Sequence, residues 1–349
     1  MAARPRPRDD GDSWMADAVE GSERPMTPEA RLDLGRAFEE RQDHGRALLA
    51  YYRAIIEAQR AARWLDAGST APDILGRVTY AMRYVKAGRR RAFDAALAPV
   101  YDRHGSEALV RFDACLAIQA GERRAQYEDA RQKPSMLYFP GLPAAPWYER
   151  SSFPWFEALE RQTAAIREEL LAVMPRTDHS ERVFATEQAE RRGLAAASGA
   201  PSWNGFYFWR HGERRDANHA LCPRTSAALE ALPLVRIRGN APEVMFSVLT
   251  PGTHILPHRG VTNTRVVCHL PLVVPGDCAL VVGGEARAWR EGEALAFDDT
   301  YEHEAWNRGS STRVVLIIDV WNPHLTAAER DAVARLAEVM VDFNEAAGI

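Results

Sequence analysis

Of the ten histidines in the chain, two stand where a β-rich run meets a loop: His258 in THILPHRG and His303 in FDDTYEHEAWN. Neutral imidazole is a good ligand for Fe(II), and residues 45 apart meet readily when a sheet folds over itself. A lone histidine in such a place more often makes a structural hydrogen bond, so its surroundings must decide. Ten residues beyond His303, Arg313 opens the apolar run RVVLIIDVW (313–321), where a buried guanidinium needs an anionic partner. A dicarboxylate would fill that role through the planar fork of the guanidinium, with the Ser247 hydroxyl, inside VMFSVL (244–249), as a further donor. Pairing of Arg313 with Asp298, Asp299 or Asp319 as a structural salt bridge is the alternative. His269 shares a strand face with Arg265 and Val267 by period-two alternation and points either into a cavity or into a core. Asp298 and Asp299 precede a turn and read as caps rather than ligands.

Facial triads usually join two histidines to a carboxylate, typically placed two residues after the first histidine. That position here is Gly260, which offers no ligand, so it is the most diagnostic residue in the chain.

The elements that must position these residues are β-strands. Beyond Trp203 the runs VMFSVL (244–249), RVVCHLPLVV (265–274), CALVV (278–282), ALAF (294–297) and RVVLIIDVW (313–321) are separated by turn residues, which predicts a sandwich or barrel. A helix over Glu157 to Met174 is expected to buttress the sheet, and a last helix after Pro323 begins with the capping box TAAE (326–329). Upstream, residues 28 to 119 show helical spacing; Leu34, Gly35, Phe38, Ala47, Tyr51 and Ala54 fall at the offsets of a tetratricopeptide repeat, an ordinary helical hairpin being the alternative. Five prolines from Pro134 to Pro154 forbid a long helix and mark a junction. The predicted organisation is α+β: a disordered tail over 1–27, a helical tetratricopeptide-like domain over 28–133 and a β domain over 134–349.

With 349 residues the chain has room for about two domains, and 46% apolar residues support a sizeable core. The 44 basic residues nearly balance 48 acidic ones, which argues against nucleic acid or an anionic membrane as a partner. No apolar run is long enough to span a bilayer, and Cys115, Cys222, Cys268 and Cys278 are scattered without metal-binding or disulfide spacing, so a cytoplasmic protein is expected.

The segments PGTHILPHRGVTNTRVVCHLPLVVP (251–275) and FDDTYEHEAWNRGSSTRVVLIIDVWNP (297–323) resemble the aspartyl/asparaginyl β-hydroxylases, with weaker similarity back to about Pro134. The resemblance implies a double-stranded β-helix (jelly-roll, cupin-like) oxygenase domain that uses Fe(II), with 2-oxoglutarate and O2 as cosubstrates. In that family two histidines bind the iron and glycine replaces the carboxylate, so Gly260 becomes a signature. The implied iron ligands are His258 and His303; Trp203, Ser247, His269 and Arg313 are the implied cosubstrate contacts. Where the family has an arginine beside cosubstrate and substrate this chain has Val267, with Arg265 keeping one positive charge on the substrate side. The animal enzymes have a disulfide in the stretch matching 218–226, where only Cys222 occurs here. The expected reaction is hydroxylation of an Asp, Asn or related residue in a protein or peptide partner. Two alternatives are the same chemistry on a free or carrier-bound amino acid or a lipid acyl chain, and a non-catalytic repeat and barrel that only binds.

Overall fold

A computed structural model describes residues 26–175, 179–184, 187–196 and 202–349, so the expected tail over 1–27 lies, apart from its last two residues, outside the described residues. The described residues divide into two compact units, one of those up to 107 with 335–349 and one of those from 108 to 334.

In the first unit α1 (Pro28–Glu40), α2 (His44–Arg60) and α3 (Leu75–His104) gather Leu32, Leu48, Tyr51, Ala54, Val78 and Val85 into one apolar core. The Thr27 hydroxyl accepts from the Ala30 amide and Pro28 supplies the first turn, which fixes where α1 starts. Gly35 lets α1 and α2 approach closely, since a Cβ there would lie 2.5 Å from the Tyr51 ring.

The expected boundary at 133/134 is displaced at both ends of the chain. Phe343 and Ala347 of the final helix join the core of the first unit, with the Phe343 ring 4.8 Å from that of Tyr52. In the second unit α4 (Val110–Gln119) carries Arg111, which bonds the buried Glu329 carboxylate at 2.6 and 2.7 Å. The prolines that suggested a junction thus lie inside the second unit, as irregular chain packed against strands: the Tyr148 amide, for example, donates to the Ala296 carbonyl of the strand over 295–297.

The rest of the second unit comprises helices α5 (Phe156–Glu160), α6 (Thr163–Val173), α7 (Glu187–Gly193), α8 (Asp216–Leu221) and α9 (Pro223–Glu230), and α10 (Ala327–Ala347), whose residues from 335 onward belong to the first unit. Its strands are β1 (Glu181–Arg182), β2 (Leu194–Ala196), β3 (Trp203–Arg210), β4 (Glu213–Arg214), β5 (Val244–Leu249), β6 (Thr253–His258), β7 (Arg265–Val273), β8 (Cys278–Val282), β9 (Glu285–Ala288), β10 (Leu295–Phe297), β11 (His303–Asn307) and β12 (Arg313–Trp321). The helix expected over 157–174 is two pieces, α5 and α6. The Thr163 hydroxyl donates to the Glu160 carbonyl and the Glu160 carboxylate accepts from the Ala294 amide, which turns the chain between them. The capping box is present: Thr326 Oγ1 accepts from the Glu329 amide and Glu329 Oε2 from the Thr326 amide.

The strands form two antiparallel sheets, ordered β1-β3-β5-β12-β7-β10 with β4 beside β3, and β2-β6-β11-β8-β9. Together they make the double-stranded β-helix expected from the sequence. Period-two alternation sorts the large sheet cleanly. Phe206, Phe208, Phe246, Cys268, Leu270, Leu316 and Ile318 face the helical layer of α5, α6 and α9, where they meet Phe156, Leu159, Ile166, Leu170 and Leu229. The alternate positions, Leu249, Val267 and Val315 among them, face the small sheet and pack with Ile255, Leu280 and Val282. Every polar site residue on the large sheet lies on this inner face. Among the described residues no helix is long and apolar enough to cross a membrane.

Candidate metal and cosubstrate site

His258 ends β6 and His303 begins β11, and the antiparallel register pairs them directly, with ring centroids 4.1 Å apart. Each Nδ1 lies on a main-chain carbonyl, His258 on Leu256 O at 2.9 Å and His303 on Tyr301 O at 3.0 Å. A carbonyl only accepts, so Nδ1 carries the proton in both rings and each Nε2 keeps its lone pair for a metal. Burial and the neighbouring His258 push the His303 pKa down to about 3, which holds that ring in the neutral, ligating form.

Gly260 follows on the loop after β6, and its amide donates to the Asp299 carbonyl at 2.6 Å. A Cβ built on Gly260 would overlap the Asp299 carboxyl group, so the space that a side chain at 260 would fill is already occupied by a carboxylate from another loop. Asp299 is buried, lines the same cavity as the two histidines, and its Oδ1 has no hydrogen-bond partner. Burial raises its pKa, against the opposing pull of Arg265 and His258. The expectation that both aspartates cap the turn therefore holds only for Asp298, whose Oδ1 accepts from the Thr300 amide and hydroxyl. Alternation from Phe297 was the available signal, because it carries position 299 to the inner face.

Trp203, Ser247, His269 and Arg313 all line that cavity with His258 and His303. Arg313 is 2% exposed, its Nη1 donates to Ser247 O at 3.2 Å and Ser247 Oγ at 3.3 Å, and its guanidinium carbon stands 4.8 Å from the Trp289 ring centre. Its Nε has no partner, and no carboxylate lies within ion-pair distance of it among the described residues. Burial alone depresses its pKa, to about 10. The salt-bridge alternative thus fails at each candidate: Asp319 and Asp299 bond Arg265, at 2.8 and 3.4 Å, and Asp298 is taken by Thr300 and Gln132. Trp203 Nε1 donates to Ser247 Oγ at 2.9 Å, so the serine hydroxyl hydrogen remains to be donated inward. His269 Nδ1 accepts from Trp289 Nε1 at 3.2 Å, leaving Nε2–H as a donor, and burial with the nearby Arg313 and His303 keeps the ring neutral.

Arg265 does not offer the free positive charge expected of it on the substrate side, since both its carboxylate partners are already in place. Val267 is buried in the inner apolar cluster with Leu280 and Phe297.

The double-stranded β-helix thus places two register-paired histidines and a buried arginine, with no anionic partner among the described residues, in one cavity. Residues 160–323 match the family model described as Aspartyl/Asparaginyl beta-hydroxylase, so this stretch of the chain is similar to that family. A human relative, "Aspartyl/asparaginyl beta-hydroxylase", is 35% identical over 218 residues, 61% of this chain and 27% of that protein. The Xenopus tropicalis "Aspartate beta-hydroxylase domain-containing protein 2" is 37% identical over 58% of this chain and 54% of its own length. The Rhizobium tropici "Ornithine lipid ester-linked acyl 2-hydroxylase" is 35% identical over 54% of this chain and 64% of its own. The chain thus spans 27% to 64% of the length of these relatives.

Proposed function

We propose that the chain is an Fe(II)- and 2-oxoglutarate-dependent hydroxylase acting on an Asp, Asn or related residue of a protein or peptide. The observation that carries this reading is Arg313: a buried guanidinium without an anion, in the cavity that also holds the two free imidazole nitrogens. Such a cation is costly unless a bound anion completes it.

The residues present fit the implied groups. His258 and His303 would hold the metal through Nε2. Arg313, the Ser247 hydroxyl and His269 Nε2–H would hold the carboxylate and neighbouring oxygens of 2-oxoglutarate. When bound, Fe(II) with 2-oxoglutarate supplies the activation of O2 that inserts one oxygen atom into a substrate C–H bond and the other into succinate. The chain's own contribution is orientation and dryness. Leu256 and Tyr301 carbonyls fix the two imidazole tautomers, Trp203 fixes the Ser247 rotor, and the walls of Ile255, Leu280, Phe297 and Ile317 exclude water.

A polypeptide substrate is supported by the names of the human and Xenopus relatives, and by the helical unit, which we read as a single tetratricopeptide-like repeat. An acyl substrate is the second reading, favoured by Val267 in the apolar wall and by the name of the Rhizobium relative.

Succinate release from 2-oxoglutarate with Fe(II), in the presence of candidate substrates, tests the reaction. Wild type should turn over, and His258→Ala or His303→Ala should lose both turnover and bound iron. Wild-type rates in both variants would remove the ligand assignment, and a protein that neither turns over nor binds iron would be a binding module.

A further inference from the structure

Resting on the hydroxylase reading, we propose that the site selects its substrate by charge: it takes an uncharged carboxamide, an asparagine side chain in a polypeptide, and rejects the carboxylate of aspartate, with Val267, Arg265, Asp299 and Asp319 as the deciding residues. The inventory of charges around the cavity leads there. Among the described residues one arginine lines it, Arg313, and that cation is needed for the cosubstrate. The next nearest on the same strand face as Val267 is Arg265, whose guanidinium bonds Asp319 at 2.8 Å and Asp299 at 3.4 Å. Two carboxylates therefore oppose one cation before any substrate enters. Behind them the Glu243 amide donates to Asp319 Oδ2 at 3.0 Å. At the rim, Arg259 is occupied by Glu302 at 3.1 Å and by the Arg131 carbonyl.

An incoming carboxylate would shed its water beside the apolar Val267 and find, among the described residues, the guanidinium on that strand face already shared by two carboxylates. A carboxamide avoids that penalty and brings something a carboxylate lacks, an N–H donor. Asp299 lines the cavity, and its Oδ1 is buried without a hydrogen-bond partner. It can accept from a carboxamide N–H and can only repel a carboxylate oxygen. The same unpaired acceptor also favours a carboxamide over a bare alkyl chain.

The test uses the full chain and two peptide libraries, degenerate except for one central residue, Asn in one and Asp in the other. Binding is read without oxygen, with 2-oxoglutarate and Fe(II) present, as the amount of each library retained; hydroxylation is then read in air by mass. Wild type should retain and hydroxylate the Asn library at least about tenfold over the Asp library, equivalent to about 1.4 kcal/mol. Val267→Arg should shrink or invert that ratio. Asp319→Asn, nearly isosteric and freeing Arg265 from one carboxylate, should narrow it too, and serves if the arginine variant does not fold. Equal or preferred use of Asp by wild type, or a ratio unmoved in every folded variant, overturns the inference. So does retention of neither library while an acyl amide is hydroxylated, an outcome that leaves the hydroxylase reading standing. Absence of 2-oxoglutarate binding and of succinate formation would instead remove that reading, and this inference with it.

Discussion

Gly260 and Asp299 show how one position can be read two ways. A glycine two residues after a metal-binding histidine looks like the loss of a ligand; in the fold it is the room that lets the Asp299 carboxyl group approach. A methyl group at 260 would have to displace that carboxylate or move the backbone, and overpacking of this kind costs about 1–3 kcal/mol. Gly260→Ala should therefore lower the unfolding free energy by about that amount in a denaturant titration, and Gly260→Ala combined with Asp299→Gly should recover most of the loss. Equal stability of wild type and the single variant would mean that the two positions do not compete for space. That His258, His303 and Arg313 would share one cavity was legible from residue type, the β-rich context and the family resemblance taken together. The partners of Arg265 were not: alternation put Arg265 and Asp319 on a shared inner face only once strands β7 and β12 were known to be neighbours, paired Asp319 to Val267.

At the scale of elements, the long strands announced themselves through β-branched runs. Strands over 244–249, 278–282 and 313–321 have the expected bounds, and those over 265–273 and 295–297 differ by one residue at one end. The two- and three-residue strands β1, β2 and β4 carry too few residues for any period to register, and the break between α5 and α6 depends on a Glu160 contact with Ala294, far away in sequence. Local helix contacts were more readable. Gly35 packs on Tyr51, and the Tyr51 hydroxyl donates to Glu39 at 2.6 Å. Gly35→Ala would gain helix propensity, about 1 kcal/mol, yet must push the ring out of a full core. The net expected effect is destabilisation by about 1–2 kcal/mol, read by thermal melting; an unchanged or raised melting temperature would show that α1 and α2 are not held at this contact.

For the whole molecule, the surprise is where the C-terminal residues belong. Helical periodicity in Leu336, Met340 and Phe343 reveals an apolar stripe but not its recipient, since a stripe is the same whichever core it enters. The recipient is the N-terminal helical unit: Phe343 meets Tyr52, and the Tyr52 hydroxyl donates to Asn344 Oδ1 at 2.7 Å. Ending the chain after Ala334 should thus unmask Tyr52 and its neighbours and make residues 28–104 sensitive to brief proteolysis, whereas 2-oxoglutarate binding, whose residues all lie within 108–334, should persist. Protection of 28–104 in the shortened chain would contradict that assignment.

The central claim is that Arg313 waits for the carboxylate of a cosubstrate. Thermal unfolding of wild type and Arg313→Met, each with Fe(II) under nitrogen and with or without 2-oxoglutarate, tests it most directly. Wild type should gain about 2.7 kcal/mol at a hundredfold excess over the dissociation constant. Arg313→Met should start about 1–4 kcal/mol more stable, having lost an unpaired buried charge, and gain nothing from 2-oxoglutarate. Equal stabilisation of both proteins by 2-oxoglutarate would show that the carboxylate is held elsewhere.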